Sequence, residues 1–207
     1  MNKKVLVIAL LIIIIIIFGV SYYILNSSNN NSNSSNNHTF SLDAVAITLN
    51  DVDGDYIVID EKHWTEPGEF TNSTGNGRVW RYTEHYQSNF MENKSSGPIS
   101  ADDPSNKIIQ TITRLESNEK ATEYVELWTI GHQKKEGYTI VPIDQIGNKS
   151  AYFTFQLPYN DYDIDNYLLC FCIDNVVVTI GGGGLTVTES MYLNFAKLIE
   201  SNILNTK

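Results

Sequence analysis

Polarity divides the chain before any element is assigned. Residues 5–25, VLVIALLIIIIIIFGVSYYIL, carry no charge. A run of about 20 apolar residues matches the hydrocarbon thickness of a bilayer at 1.5 Å rise per residue. In lipid its backbone must bond to itself, so the pattern predicts a helix despite its many isoleucines. Residues 26–37, NSSNNNSNSSNN, then offer nothing to bury and predict a disordered spacer that runs to residue 39.

From residue 40 the apolar positions take shorter periods. Residues 40–49 fit either a short helix or a strand, and Asp53-Gly54 marks a turn. Strands are expected at 56–64, 77–91 and 107–115, rich in β-branched and aromatic residues. In the second, Val79, Arg81, Thr83 and His85 are expected on one face and Trp80, Tyr82, Glu84 and Tyr86 on the other. Residues 65–76 and 92–106 carry the glycines and prolines of loops. Ser117 caps a helix whose buried face is Ala121, Tyr124, Val125 and Trp128, and Gly137 ends it.

Three more strands follow, at 149–157, 166–173 and 176–180, with residues 158–165 as a loop and Asp174-Asn175 as a hairpin turn. Gly181 to Gly184 read as a flexible connection. Thr186 and Glu189 suggest a capping box for a last helix facing inward through Met191, Phe195, Leu198 and Ile199. The order βββα-βββα predicts an α+β fold, an antiparallel β-sheet of about six strands packed by helices. The predicted organisation is a cytoplasmic tail at 1–4, a transmembrane signal-anchor at 5–25, a linker at 26–39 and one extracytoplasmic domain at 40–207.

Charge sets the direction of the anchor. Lys3 and Lys4 precede it and no Lys or Arg follows until Lys62, which places the N-terminus in the cytoplasm. Tyr22 and Tyr23 suit the outer interface. A cleaved signal peptide, with Gly19 and Ser21 at the cut, is the alternative; the run exceeds the usual 7–15-residue apolar region, which favours an uncleaved anchor. The domain beyond holds all 24 acidic residues. That balance argues against nucleic acid and against anionic membrane surfaces as partners.

Candidate chemistry is sparse. Asp51, Asp53 and Asp55 alternate, as do Asp161, Asp163 and Asp165; such a loop can supply several oxygens to Ca²⁺, although neither set keeps the helix-loop-helix calcium pattern. Calcium is the one cofactor these residues suggest. Tyr159 and Tyr162, in PYNDYDIDNY, could line a ligand rim. Glycosylation sequons occur at Asn72, Asn93 and Asn148, and in the spacer at Asn26, Asn30, Asn33 and Asn37. Cys170 and Cys172 lie in an apolar run and read as buried small hydrophobes. The glycine run lacks the Lys-Ser/Thr of a nucleotide loop, the four histidines lack metal spacing, and no G-x-S-x-G is present.

Several segments share their order and turn chemistry with a known group: the DxDGDY turn at 51–56, the helix after KIIQTITRL, IGNKSAYF at 146–153, and CIDNVVVTIGGGG followed by a helix. In these the chain resembles the PsbP/Mog1-like superfamily, which includes extracytoplasmic lipoproteins and sensor-type domains. The resemblance implies a binding or accessory domain and supplies no catalytic residues. Unlike the lipoprotein members, the chain has no cysteine near the end of its apolar run. The sequence thus points to a membrane-anchored extracytoplasmic binding or accessory domain for a protein, glycan or small-molecule ligand. The alternatives are a surface enzyme with a site built from distant loops, and a calcium-stabilised adhesion module.

Overall fold

A computed structural model describes residues 40–71, 78–93, 106–159 and 162–206, with backbone alone at 159 and 162. The expected anchor, tail and linker lie outside these residues, as do the spacer sequons, Asn72 and Asp161. Among the described residues no helix is long and apolar enough to cross a membrane.

The chain forms an eight-stranded, wholly antiparallel sheet. Its strands are β1 (Tyr56–Trp64), β2 (Gly68–Thr71), β3 (Val79–Glu92), β4 (Lys107–Leu115), β5 (Thr139–Ile140), β6 (Lys149–Tyr159), β7 (Tyr162–Ile173) and β8 (Val176–Gly183). The spatial order is β1-β3-β4-β8-β7-β6-β5, with β2 also paired to β3. The helices are α1 (Asn118–Gln133) and α2 (Glu189–Asn205). Two strands exceed the expected number. β2 and β5 are short edge pieces of four and two residues, too brief for periodicity to register.

Each face of the sheet has its own core. Leu42, Val45, Ile47, Tyr86, Phe90, Ile108, Ile112 and Phe171 pack beneath α2 and the 3₁₀ turn Leu42–Val45. Residues 40–49, open between helix and strand in the sequence, supply this turn and the start of a second, Leu49–Asp51. On the other face Trp80, Leu115, Phe153, Cys170, Cys172 and Val177 pack against Ala121, Tyr124, Val125 and Trp128 of α1. Those four are the helix face that the spacing predicts. Ser117 caps α1, its side chain accepting from the Lys120 amide at 3.2 Å.

Four expectations are corrected. The faces of β3 exchange at Thr83, where the register with β4 passes from Tyr82↔Leu115 to Glu84↔Arg114. The extra residue is a β-bulge, which sends the side chains after it to the opposite face. Trp80 and Tyr82 therefore join the α1 core, whereas Tyr86 and Phe90 join the α2 core.

The expected loop 158–165 is mostly strand. β6 runs through Pro158 to Tyr159 and β7 starts at Tyr162. Pro158 is accepted because β5 pairs with β6 only at Phe153 and Thr154, which leaves the far end of β6 an edge where no amide is required.

The glycine run is also strand, with Gly181 to Gly183 inside β8. A Cβ on Gly182, whose φ is +142°, would sit 2.0 Å from the Lys107 carbonyl oxygen and 2.6 Å from the Tyr192 hydroxyl. These glycines admit close backbone approach rather than flexibility.

Finally, α2 begins two residues later than the capping box implies. Thr188 is its N-cap and makes no side-chain cap bond, and Thr186 is held instead by Asn106, whose Oδ1 accepts from the Thr186 amide at 3.0 Å. The buried face of α2 is accordingly Tyr192, Phe195, Ala196, Ile199 and Ile203, with Met191 and Leu198 half-buried at its margins.

A candidate ligand cleft on the open half of the sheet

α1 packs on β6, β7, β8 and the end of β4, and stops short of the half built from β3 and β4. Register pairs define what it leaves open. Trp64, His85, Thr113, Val177 and Cys172 form one row across this face. Lys62, Gln87, Thr111, Thr179, Cys170 and Ala151 form the next. Each row passes from polar to apolar where the helix begins to cover it. The polar half is the floor of a cleft of about 420 Å³, which Phe70 and Thr71 of β2 and Tyr124 of α1 also line. That volume lies within the roughly 300–1,000 Å³ of small-molecule sites.

His85 is the centre of this floor. Its Nδ1 lies 2.8 Å from the Thr113 hydroxyl, and no described residue hydrogen-bonds its Nε2. Trp64, Phe70 and Tyr82 surround the imidazole, with ring centroids 5.0, 6.0 and 5.4 Å away. Burial pushes its pKa below the ordinary 6.5, so the ring is neutral at pH 7. Beside it, the Thr111 hydroxyl and the Gln87 amide engage no described residue, and Thr179 reaches only the Cys170 sulfur, at 3.8 Å. No lining side chain carries a formal charge. On the neighbouring edge strand Asp60 and Lys62 pair with each other at 2.9 Å.

A wider trough of about 660 Å³ runs between the 140–149 connector and β6. Its one cation, Lys149, is already paired with Glu126, and the trough is bounded largely by the connector. The cleft is the better site because its polar groups converge and remain unengaged.

The sites expected from the sequence lie elsewhere. Asp51 serves its own turn, its Oδ2 accepting from the Thr48 amide and hydroxyl, both at 2.8 Å. Asp55 accepts from Asn93 at 3.2 Å. Asp163 and Asp165 belong to β7, and Asp165 accepts from Gln156 at 2.9 Å. The described members of the two sets, Asp51, Asp53 and Asp55 before β1 and Asp163 and Asp165 in β7, belong to strands four positions apart in the sheet, about 19 Å at the usual strand spacing. Among the described residues no three acidic, histidine or cysteine side chains are grouped to hold a metal ion. Tyr159 and Tyr162 pair across the tip of the β6–β7 hairpin, far along the sheet from the cleft.

Of the domain sequons, Asn93 is exposed at the end of β3, and Asn148 is exposed with its Oδ1 accepting from the Asp174 amide at 2.6 Å. Cys170 and Cys172 are free and buried, and burial pushes both thiols up. The residues that build the cleft do leave a trace in the sequence. Thr111 and Thr113 alternate on a strand flanked on both sides, which is how an uncovered face reads once the strand is known to be central.

No protein-family model matches this sequence, and no curated protein is significantly similar to it. Among solved structures the chain is similar to the extracellular domain of PknH from Mycobacterium tuberculosis. The TM-score is 0.57 at 12% identity, over 79% of this chain and 94% of that one. The two share an α+β architecture of antiparallel sheet and helices.

Proposed function

We infer that the chain is a membrane-tethered extracytoplasmic binding or accessory domain that takes a small ligand in the cleft between α1 and β2. The observation that carries this reading is the floor itself, where His85 Nε2, Gln87 and Thr111 converge without partners among the described residues, inside a half-covered sheet face. Their polar atoms are reached by solvent rather than sealed in the core, so a ligand that enters the concavity can engage them. The uncharged run 5–25 and the Asn/Ser spacer supply the tether. The PknH domain named above is an extracellular one, and a similar placement for this chain is part of the inference. A binding or accessory role is also what the PsbP/Mog1-like order of elements implies.

Hydrogen exchange on the full chain in lipid nanodiscs tests the site. The small-molecule fraction of the surrounding cell envelope should slow exchange in β3, β4 and β8 around His85, Thr111 and Thr179. Protection confined to other strands, or none, contradicts it.

A further inference from the structure

We propose that the cleft is built for a neutral polyhydroxylated ligand, a saccharide, rather than for a charged group. The proposal rests on the cleft being the ligand site. Every polar group on its floor can both donate and accept. A threonine hydroxyl does both, a glutamine amide does both, and a neutral imidazole has one nitrogen of each kind. Thr111, Thr179, Gln87 and His85 are all of this sort. A ligand hydroxyl has the same double capacity and can pair with each of them in either sense. A carboxylate or phosphate only accepts and an ammonium only donates. Either would enter a site whose lining has no counter-charge, Lys62 beside Gln87 being paired with Asp60, and would pay a desolvation cost.

The protein's formal charge of −10 further disfavours anions. The walls complete the match. The Phe70 and Tyr124 rings touch, with centroids 5.9 Å apart, and form one continuous apolar wall beside the hydroxyl floor. A sugar ring presents the complementary pair of surfaces, with C–H groups on its faces and hydroxyls around its rim.

The discriminating experiment is calorimetric titration of the full chain in nanodiscs. The probes are neutral trisaccharides of glucose, galactose, mannose and N-acetylglucosamine, with galacturonic acid and glucosamine trisaccharides as charged counterparts. The variants are Thr111→Val and Thr179→Val, which keep shape and remove one hydroxyl each. At least one neutral trisaccharide should bind, and each variant should weaken it about tenfold without shifting the melting midpoint. Binding of a charged trisaccharide alone, weakened by the same variants, overturns the ligand class and leaves the cleft as the site. Binding that neither variant alters, or none by any probe at millimolar concentration, overturns both.

Discussion

Glu84 and Arg114 stand opposite one another with Oε2 and a terminal guanidinium nitrogen 3.2 Å apart, one position beyond the bulge at Thr83. The bulge turns Glu84 away from the cleft and onto the face where the domain begins. There its Oε1 accepts from the Leu42 amide at 2.8 Å and meets His63 Nε2 at 2.8 Å, while Arg114 donates to the Phe40 carbonyl at 2.6 Å. Two adjacent strands thus fasten the first described residues, those that follow the spacer, to the middle of the sheet. Glu84→Ala should cost roughly 3 kcal/mol, because it removes the Glu84 carboxylate from a largely buried guanidinium and from the Leu42 amide. Urea unfolding followed by tryptophan fluorescence checks this, and a loss below 1 kcal/mol would remove the clamp from the account.

Acid should weaken the domain through two histidines. Burial holds both His85 and His132 below the ordinary value of 6.5. His132 is packed between Trp128 and Phe153, with Nδ1 donating to the Trp128 carbonyl at 2.9 Å. The unfolded chain then binds protons at these positions before the folded chain does. Their contribution is complete above about pH 6.5 and falls as pH drops through the lower folded values. His132→Phe keeps an aromatic ring and removes one titration, so its melting midpoint should change less between pH 7 and pH 5 than that of the parent. An equal or steeper change contradicts the assignment.

Gly182 and Gly137 should respond differently to alanine. Both have positive φ, at +142° and +82°, but a Cβ at Gly137 meets nothing within 4 Å and one at Gly182 meets Lys107 backbone at 2.0 Å. Gly137→Ala should cost about 1–2 kcal/mol of backbone strain. Gly182→Ala adds overpacking between two central strands and should exceed about 3 kcal/mol in total. Comparable midpoints for the two variants would show that β8 yields more easily than its register allows.

Tyr152 is fully buried, and its hydroxyl has no hydrogen-bond partner among the described residues. Its ring packs parallel to Tyr167 at 6.4 Å. Tyr152→Phe removes an unsatisfied polar atom and keeps the ring, so stability should hold or rise by about 1 kcal/mol. A loss of that size would reveal a partner for the hydroxyl.

These residues also show where sequence pattern suffices. The face of α1 is legible because Ala121, Tyr124, Val125 and Trp128 recur at helical spacing and nothing interrupts them. The α+β class and the antiparallel sense follow from the hairpins. β3 is misread because period two assumes an unbroken pleat, and Thr83 carries no residue-type signal of a bulge. Gly181 to Gly183 mislead in the other direction: a run that looks flexible is set by the Lys107 carbonyl, Tyr192 and Asn166 crowding against it. The cleft leaves only a faint local trace, the alternating Thr111 and Thr113. It exists because α1 covers β6, β7 and β8 but reaches β3 only at its start, around Trp80, a fact of strand order that joins residues as far apart in sequence as Phe70 and Thr179. The aspartate and tyrosine candidates were local by construction, and the site that converges is not.

One measurement reaches the central claim, that an open cleft stands outside the cell. Thr111→Cys places a thiol on the floor, while the two native cysteines are fully buried and give no background. Intact cells are treated with a membrane-impermeant maleimide. The account predicts labelling of the Thr111→Cys chain and none of the parent, with labelling slowed by any ligand that occupies the cleft. Labelling only after lysis would contradict the topology, and no labelling of the folded protein in either condition would contradict the cleft.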